Sequence, residues 1–160
     1  MIDENFDNNF WMRMAIQEAQ KAYQIGEVPV GAVIILENQL LGRGYNQTER
    51  LKDPTAHAEI LAITSACEII GDWRLENAIM YSTLEPCSMC AGAAVLARIK
   101  KIVFGPSDPK FGACGSIFNI PTDPRLNHRI ELESRVMADE ISEMMRSFFL
   151  IIRNKKGGGV

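Results

Sequence analysis

Two short segments of this sequence carry side chains whose types and spacing suit metal-assisted hydrolysis. His57 and Glu59 belong to a His-Ala-Glu triplet, and Cys87 and Cys90 belong to a Pro-Cys-Ser-Met-Cys segment further along the chain. An imidazole and two thiolates are typical zinc ligands. A structural zinc site is normally closed by four protein ligands, whereas a catalytic site keeps one position open. The pattern therefore predicts a catalytic zinc ion held by His57, Cys87 and Cys90.

Glu59 is the candidate catalytic residue of this predicted site. A zinc ion lowers the pKa of bound water from about 15.7 towards about 7, which supplies hydroxide at neutral pH. Such a nucleophile attacks an electron-poor, amidine-like carbon that bears an amino group. A neighbouring carboxylate serves first as base and then as acid, because it can accept the water proton, pass it to a ring nitrogen and later protonate the departing ammonia.

Each segment also has a plainer interpretation. A glutamate in a first helical turn is favoured by the helix dipole alone, and a C-x-x-C pair at a strand-to-helix junction also occurs in thioredoxin-like redox proteins. A closed structural zinc site would need a fourth ligand. Cys67 follows His57 by ten residues, about 15 Å along one helix, which is too far. Cys114 and His128 fall in loops and remain open as fourth ligands.

The elements that must position these side chains alternate between helices and strands. Apolar periodicity, caps and breakers predict helices over about 8–25, from a Thr55 cap to about Ile70, over 87–98, and near the end of the chain. They predict strands over 31–36, 40–45, 78–83, 101–104 and 129–133, with loops over 46–54 and 105–127. This order predicts one α/β domain over residues 1–160, a three-layer α/β/α fold with a mixed five-stranded sheet. The tail over about 155–160 is expected to be disordered.

Both metal-binding segments are predicted to lie where a helix begins. His57 and Glu59 are two residues apart and would point away from each other on a regular helix, so only a helix start lets them share a pocket. Helix N-termini favour anions, and the thiols of Cys87 and Cys90 are therefore expected to ionise well below their usual pKa of about 8.5.

The composition restricts the possible location and partners. The net charge of −3 argues against a general polyanion binder, although basic residues near the end of the chain are compatible with holding a few phosphates. The longest strongly apolar run, Phe148–Ile152, is too short to cross a membrane. The segment Met1–Asn5 carries acidic residues where a secretory signal would carry basic ones, so it does not resemble such a signal. Four cysteines in this pattern indicate metal chemistry and a reducing cytoplasm, not a disulfide framework.

The residues also resemble a known group of enzymes, the cytidine/deoxycytidylate deaminase superfamily. The H-x-E…P-C-x-x-C pattern is the zinc signature of that superfamily, and the similarity runs from about Trp11 to Arg153. Within it the chain resembles the family of bacterial tRNA-specific adenosine deaminases. The segments that favour this closer resemblance are Gly112–Ser116, Leu126–Arg129 and Ser147–Phe149.

This resemblance implies an activity, a cofactor and partners. The implied reaction is zinc-dependent hydrolytic deamination of adenosine to inosine at wobble position 34 of a tRNA anticodon. It would be carried out by a cytoplasmic homodimer that holds one zinc ion per subunit and needs no organic cofactor. The anticodon loop would be splayed, with the target base turned into the zinc pocket, in line with the way proteins read unstacked RNA bases.

The resemblance also implies contacts with the substrate. Asn46 would hydrogen-bond the nucleoside, and Val30 and Leu84 would wall the pocket. One of Phe148 and Phe149 would stack near the loop. Four further residues would contact the flanking nucleotides, namely Asp108, Lys110, Asn127 and Arg153.

Alternatives to these roles remain. Asn46 and Asp108 also suit turns, and Val30, Leu84 and Phe148 also suit an apolar core. A related enzyme that deaminates free guanine, cytosine or a nucleoside would need no basic residues around its pocket. A non-enzymatic zinc-stabilised RNA-binding subunit is the third hypothesis, and the presence of Glu59 argues against it.

Overall fold

Residues 6–157 are described by a computed structural model, and they form five helices and five strands. The helices are α1 (Asn8–Gln24), α2 (Thr48–Leu51), α3 (Ala58–Ile70), α4 (Ser88–Leu96) and α5 (Ala138–Gly157). The strands are β1 (Gly31–Leu36), β2 (Gln39–Tyr45), β3 (Ile79–Ser82), β4 (Lys101–Phe104) and β5 (Glu131–Glu133). Met1–Asn5, on which the argument about a secretory signal depends, lie outside the described residues. No helix within 6–157 has both the length and the apolar character of a membrane span.

The strands form one mixed sheet in the order β2-β1-β3-β4-β5. β1 pairs antiparallel with β2 and β3, whereas β4 pairs parallel with β3 and β5. Alternate side chains of β1 point to opposite faces of the sheet. Ala32 and Ile34 pack with α3 and α4 on one face, while Val33 and Ile35 pack with α1 and α5 on the other. The predicted three-layer α/β/α fold with a mixed five-stranded sheet is confirmed.

The start of α3 differs from the prediction. His57, not Thr55, is the N-cap residue, and α3 begins at Ala58. The carboxylate of Asp53 accepts hydrogen bonds from the backbone N–H and the hydroxyl of Thr55, at 2.8 and 2.7 Å. The Thr55 hydroxyl is therefore engaged in a turn and cannot cap the helix. The predicted end is confirmed, because Gly71 takes the left-handed conformation immediately after Ile70.

Other boundaries differ by smaller amounts. The predicted 46–54 loop contains the one-turn helix α2, and the helix predicted over 87–98 is the shorter α4. The strand predicted over 129–133 is limited to β5. α5 continues through Lys155 and Lys156 to Gly157, where the sequence led us to expect the start of a disordered tail. Residues 158–160 of that predicted tail lie outside the described residues.

Two glycines of β2 bring α3 directly onto the sheet. A Cβ atom at Gly44 would lie 2.5 Å from the carbonyl oxygen of Ala58 and 2.7 Å from the backbone nitrogen of Ala62. A Cβ atom at Gly42 would lie 2.4 Å from the carbonyl oxygen of Ala62 and 2.8 Å from the nitrogen of Ala66. These neighbours are backbone atoms, which cannot rotate away. The distance between α3 and β2 is therefore set by contact between main chains.

The substitution Gly44→Ala is expected to lower the free energy of unfolding by about 1–3 kcal/mol, because the added methyl group overpacks the contact between α3 and β2. Urea denaturation of the purified variant measures this change. The matched control is Gly92→Ala within α4, where an added Cβ meets nothing within 4 Å. Alanine is a better helix former than glycine, so the control should be unchanged or more stable. A Gly44→Ala variant as stable as the parent chain would contradict the close-packing argument.

Candidate active site

The starts of α3 and α4 supply the side chains of the candidate site. His57 is the N-cap residue of α3 and Cys87 the N-cap residue of α4, each with an extended backbone and no capping hydrogen bond from its side chain. Their imidazole and thiol are consequently free of the role that N-cap side chains usually have. Glu59 and Cys90 follow in the first turns of the same helices. The helix start expected for both motifs is present.

The three candidate metal ligands lie close together. Nδ1 of His57 lies 3.6 Å from Sγ of Cys87 and 3.5 Å from Sγ of Cys90. With usual zinc–nitrogen and zinc–sulfur bond lengths, a tetrahedral ion would separate such ligand atoms by about 3.6 Å. Within residues 6–157 these three form the one group of histidine, cysteine and acidic side chains placed to hold a metal ion. The structure therefore contains a three-ligand group that could bind a metal.

Neither open candidate for a fourth ligand joins this group. Cys114 is buried but lies outside the cluster. Nε2 of His128 lies 2.7 Å from the carbonyl oxygen of Ile99, so this ring is held by a loop contact. Within the described part of the chain, the protein leaves the fourth position of the metal group open, as catalytic sites do.

The pKa values of Cys87 and Cys90 shift in opposite directions, whereas the sequence analysis expected both thiols to ionise readily. Hydrogen bonding from Cys90, and then from His57, lowers the pKa of Cys87 to about 4. The hydrogen bond to Cys87, together with burial, raises the pKa of Cys90. Only one thiol therefore ionises readily in the protein alone, since two adjacent thiolates repel each other without a cation between them. The hydrogen bond with Cys87 also raises the pKa of His57.

A cleft of about 420 Å³ opens beside these ligands. Its lining includes seven of the residues that the sequence analysis singled out, namely Val30, Asn46, His57, Glu59, Leu84, Cys87 and Asp108. These residues come from five different parts of the chain. The fold thus brings the metal-binding group and the predicted nucleoside contacts into one site.

Two buried oxygen atoms in this cleft have no hydrogen-bond partner. They are Oε1 of Glu59 and Oδ1 of Asn46, the two such buried side-chain atoms found among residues 6–157. The amide nitrogen of Asn46 donates to the carbonyl oxygen of Val28 at 3.2 Å, which leaves Oδ1 as an acceptor. Burial raises the pKa of Glu59. Unpaired buried oxygens are costly, so a pair of them in one cleft indicates groups reserved for a ligand.

The remaining predicted contacts lie outside the cleft lining. Lys110 is exposed beside it, and its backbone N–H donates to Oδ1 of Asp108 at 3.0 Å. Asn127 is exposed in a loop, and Arg153 is exposed near the end of α5. The structure thus leaves all three side chains accessible, with none of them in the cleft lining.

Phe148 requires a correction. Its side chain is only 5% exposed, and its ring packs edge-on against Tyr23 of α1, with ring centroids 5.6 Å apart. A base cannot stack on a ring that is buried in this way, so of the two candidates only Phe149 remains for the predicted stacking contact near the loop. The apolar stripe of α5 accounts for its position in the core. Phe149 is 43% exposed.

Glu85 is a residue of this site that the sequence analysis did not identify. Its buried carboxylate accepts hydrogen bonds from the backbone N–H groups of Asp108, Cys114 and Ser116, at 3.0, 2.9 and 3.1 Å. The hydroxyl of Ser116 also donates to it. Burial opposes ionisation, but these hydrogen bonds lower the pKa of Glu85 overall. Glu85 consequently fixes the loop over 108–116 against the cleft. A carboxylate directly before Pro86-Cys87 was the available signal.

The substitution Glu85→Gln is expected to lower the free energy of unfolding by about 1–3 kcal/mol, because the amide group faces N–H donors and leaves at least one unpaired. Hydrogen exchange should accelerate at the amides of Cys114 and Ser116. Glu76→Gln, an exposed glutamate outside the cleft, is the control. Unchanged exchange over residues 108–116 would show that Glu85 does not hold this loop.

Comparison with known proteins matches this chain to deaminases, both by sequence and by structure. The sequence profile of the MafB19-like deaminase family matches residues 6–153. The tRNA-specific adenosine deaminase of Bacillus subtilis (strain 168) is 46% identical over 149 residues, which cover 93% of this chain and 92% of that protein. A tRNA:A34 deaminase structure, described for A-to-I editing at the wobble position, has a TM-score of 0.82 and 41% identity and covers 86% of this chain and 99% of that one.

A guanine deaminase from Nitrosomonas europaea has the same fold. Its TM-score is 0.76 at 18% identity, over 89% of this chain and 84% of that one. At this identity the similarity concerns the fold alone. Deaminases with different substrates therefore share this arrangement of helices and strands, and the substrate must be argued from the residues of the cleft.

Proposed function

Because the chain belongs to the family of tRNA-specific adenosine deaminases, we propose that it hydrolyses adenosine to inosine at wobble position 34 of a tRNA anticodon. One observation carries this proposal. The cleft combines a three-ligand metal group with a buried, unpartnered oxygen of Glu59. That combination suits hydrolysis of an amino group from a heterocyclic base, and it does not suit a closed structural zinc site.

We infer that the metal is zinc, with one ion held by His57, Cys87 and Cys90. Mixed nitrogen and sulfur ligands favour zinc, and the nitrogen–sulfur distances of 3.5 and 3.6 Å fit its tetrahedral geometry. When bound, zinc supplies Lewis-acid activation of water at neutral pH. Without a metal ion, Cys90 keeps its proton, because the hydrogen bond to Cys87 and burial raise its pKa. Zinc binding would release this proton.

The protein residues supply proton transfer and orientation. Oε1 of Glu59 accepts the first proton of the attacking water and delivers it to N1 of the adenine ring. It then takes the second proton from the hydroxyl group newly formed on C6 and passes it to the amino group, which leaves as ammonia while the C6 carbonyl forms. Burial raises the pKa of Glu59, which makes its carboxylate a stronger base towards water. Oδ1 of Asn46 accepts a hydrogen bond from the nucleoside. Val30 and Leu84 pack against the base from the cleft walls.

RNA binding would extend beyond the cleft. We infer that Asp108, Lys110, Asn127 and Arg153 contact the nucleotides that flank the target adenosine. All but Asp108 are exposed, and Asp108 lines the cleft itself. Lys110 and Arg153 carry the positive charge that phosphate contacts require. An unstacked loop suits this arrangement, since a base within a duplex cannot enter a cleft.

We further propose a homodimer that acts in the cytoplasm. The family resemblance supports the dimer, and so does the exposure of Leu96 and Phe118, at 68% and 57%. Large exposed apolar side chains of this kind are often covered by a partner. The four cysteines are all free, which suits a reducing compartment. Light scattering coupled to size-exclusion chromatography measures the oligomeric state.

One assay tests the substrate. The purified, zinc-loaded protein is incubated with an A34 tRNA transcript, with a matched transcript carrying G34, and with free guanine, cytosine and cytidine. We expect inosine only in the A34 transcript. Turnover of a free base without inosine in RNA would replace the tRNA proposal by the small-molecule alternative, and no turnover of any substrate would favour a binding subunit.

A further inference from the structure

Phe111 places an aromatic ring at the mouth of the cleft. Its side chain lines the cleft but is 69% exposed. Three of the four other exposed phenylalanines contact a neighbouring ring: Phe6 and Phe10 stack with centroids 4.1 Å apart, and Phe149 lies edge-on to Phe148. The fourth, Phe118, does not line the cleft. Within residues 6–157, no such ring contact includes Phe111. Its ring therefore presents open apolar surface beside a polar site.

The backbone that carries this ring is held in place. The N–H group of Phe111 donates to Oδ1 of Asp108 at 3.3 Å, and the N–H group of Gly112 donates to the carbonyl oxygen of Asp108 at 2.9 Å. Glu85 in turn accepts from the N–H group of Asp108 at 3.0 Å. A buried carboxylate thus anchors the turn that presents Phe111. Binding to its ring would then cost little ordering of the loop.

We propose that Phe111 stacks on the nucleobase next to the target adenine in the bound RNA. This inference rests on the proposed function, because a free base would have no neighbour to meet the ring. Aromatic side chains commonly stack on the splayed bases of single-stranded RNA. Lys110, exposed beside Phe111, supplies a positive charge near the backbone of the same nucleotide.

The kinetic effect follows from the position of the ring. Phe111 lies at the mouth of the cleft, whereas the proton transfers occur at Glu59. Stacking on a neighbouring base is equally strong in the ground state and the transition state, so its loss raises KM and leaves kcat unchanged. Every base has an aromatic face, so Phe111 contributes affinity with little preference for the identity of the neighbour.

A coupled set of protein and RNA changes tests the proposal. Wild-type protein and Phe111→Ala are compared on an anticodon stem-loop RNA with adenosine at position 34 and on matched RNAs that are abasic at position 33 or at position 35. On the intact RNA, Phe111→Ala should raise KM by about 5- to 100-fold, the usual loss for one stacking contact. One of the two abasic RNAs should bind wild-type protein correspondingly worse, and with that RNA the substitution should have no further effect.

Two variants serve as controls. Phe6→Ala removes a phenylalanine that is 41% exposed and does not line the cleft, so KM should not change. Phe111→Tyr keeps an aromatic face and should keep the wild-type KM. An unchanged KM for Phe111→Ala, or an equal increase on all three RNAs, would overturn the stacking role while the deaminase activity stands. Absence of inosine formation by wild-type protein on the intact RNA would instead overturn the proposed function, and the stacking role with it.

Discussion

Glu59→Gln is expected to lower kcat for inosine formation by about 10²- to 10⁴-fold, the usual contribution of a positioned general acid–base group. Glutamine matches glutamate in size, so the α3 start and the ligand group should persist. Its amide cannot accept a proton from water and return it to the leaving ammonia. The unpartnered Oε1 atom of Glu59 is the atom that the proton transfers would use.

The measurement combines turnover with metal content and stability. Single-turnover assays on the A34 transcript give the chemical step, and elemental analysis gives zinc per chain. Glu68→Gln is the matched control, because it makes the same change at an exposed position of α3 and should leave kcat unaltered. A Glu59→Gln variant that holds a full complement of zinc and turns over within tenfold of the wild-type rate would remove Glu59 from the mechanism.

Cys87→Ala is expected to abolish metal binding and, with it, activity. Even substitutions outside the coordination shell lower metal affinity by about 10- to 100-fold, so loss of a ligand should exceed that. Cys87 is also the thiol with the depressed pKa of about 4, and hence the anion most readily available to a cation in the protein alone. Its removal leaves His57 and Cys90, too few ligands for a stable zinc site.

Zinc per chain after dialysis against a weak chelator measures this loss. Cys67→Ala is the control, since Cys67 lies on α3 outside the ligand group and should not affect zinc content or rate. One zinc ion per chain in Cys87→Ala would contradict the ligand assignment. Zinc retained together with lost activity would point instead to damage elsewhere in the cleft.

Local sequence patterns predicted the elements and the ligand group well, because both depend on short-range spacing. The Cys87-x-x-Cys90 spacing falls within one helical turn, and the run Gly31–Leu36 marks a strand covered on both faces. The Thr55 cap was wrong because Asp53, two residues earlier, competes for the same hydroxyl. Such competition between two local motifs is decided by the surrounding structure.

The unpredicted features depend on contacts between distant parts of the chain. Glu85 meets partners that follow it by 23 to 31 residues, and no local pattern reveals these contacts. The sequence left Phe148 open between the core and a substrate contact, and its packing against Tyr23 in α1, at the other end of the sequence, decides for the core. Phe111 lies in a stretch expected only to be loop, and its place at the cleft mouth depends on the loop that Glu85 holds.

The close approach of Gly42 and Gly44 to α3 has a consequence for how such a protein could diversify. Glu59, the proposed acid–base residue, lies on α3, and the strand beneath this helix leaves no room for a side chain at Gly42 or Gly44. These two positions therefore tolerate little variation. The turn that carries Phe111 is held by hydrogen bonds to the carboxylate of Glu85, and the side chain of Phe111 is exposed. If this turn contacts RNA as proposed, exchanging residues there would change the RNA preference and leave the residues of the proposed reaction unaltered.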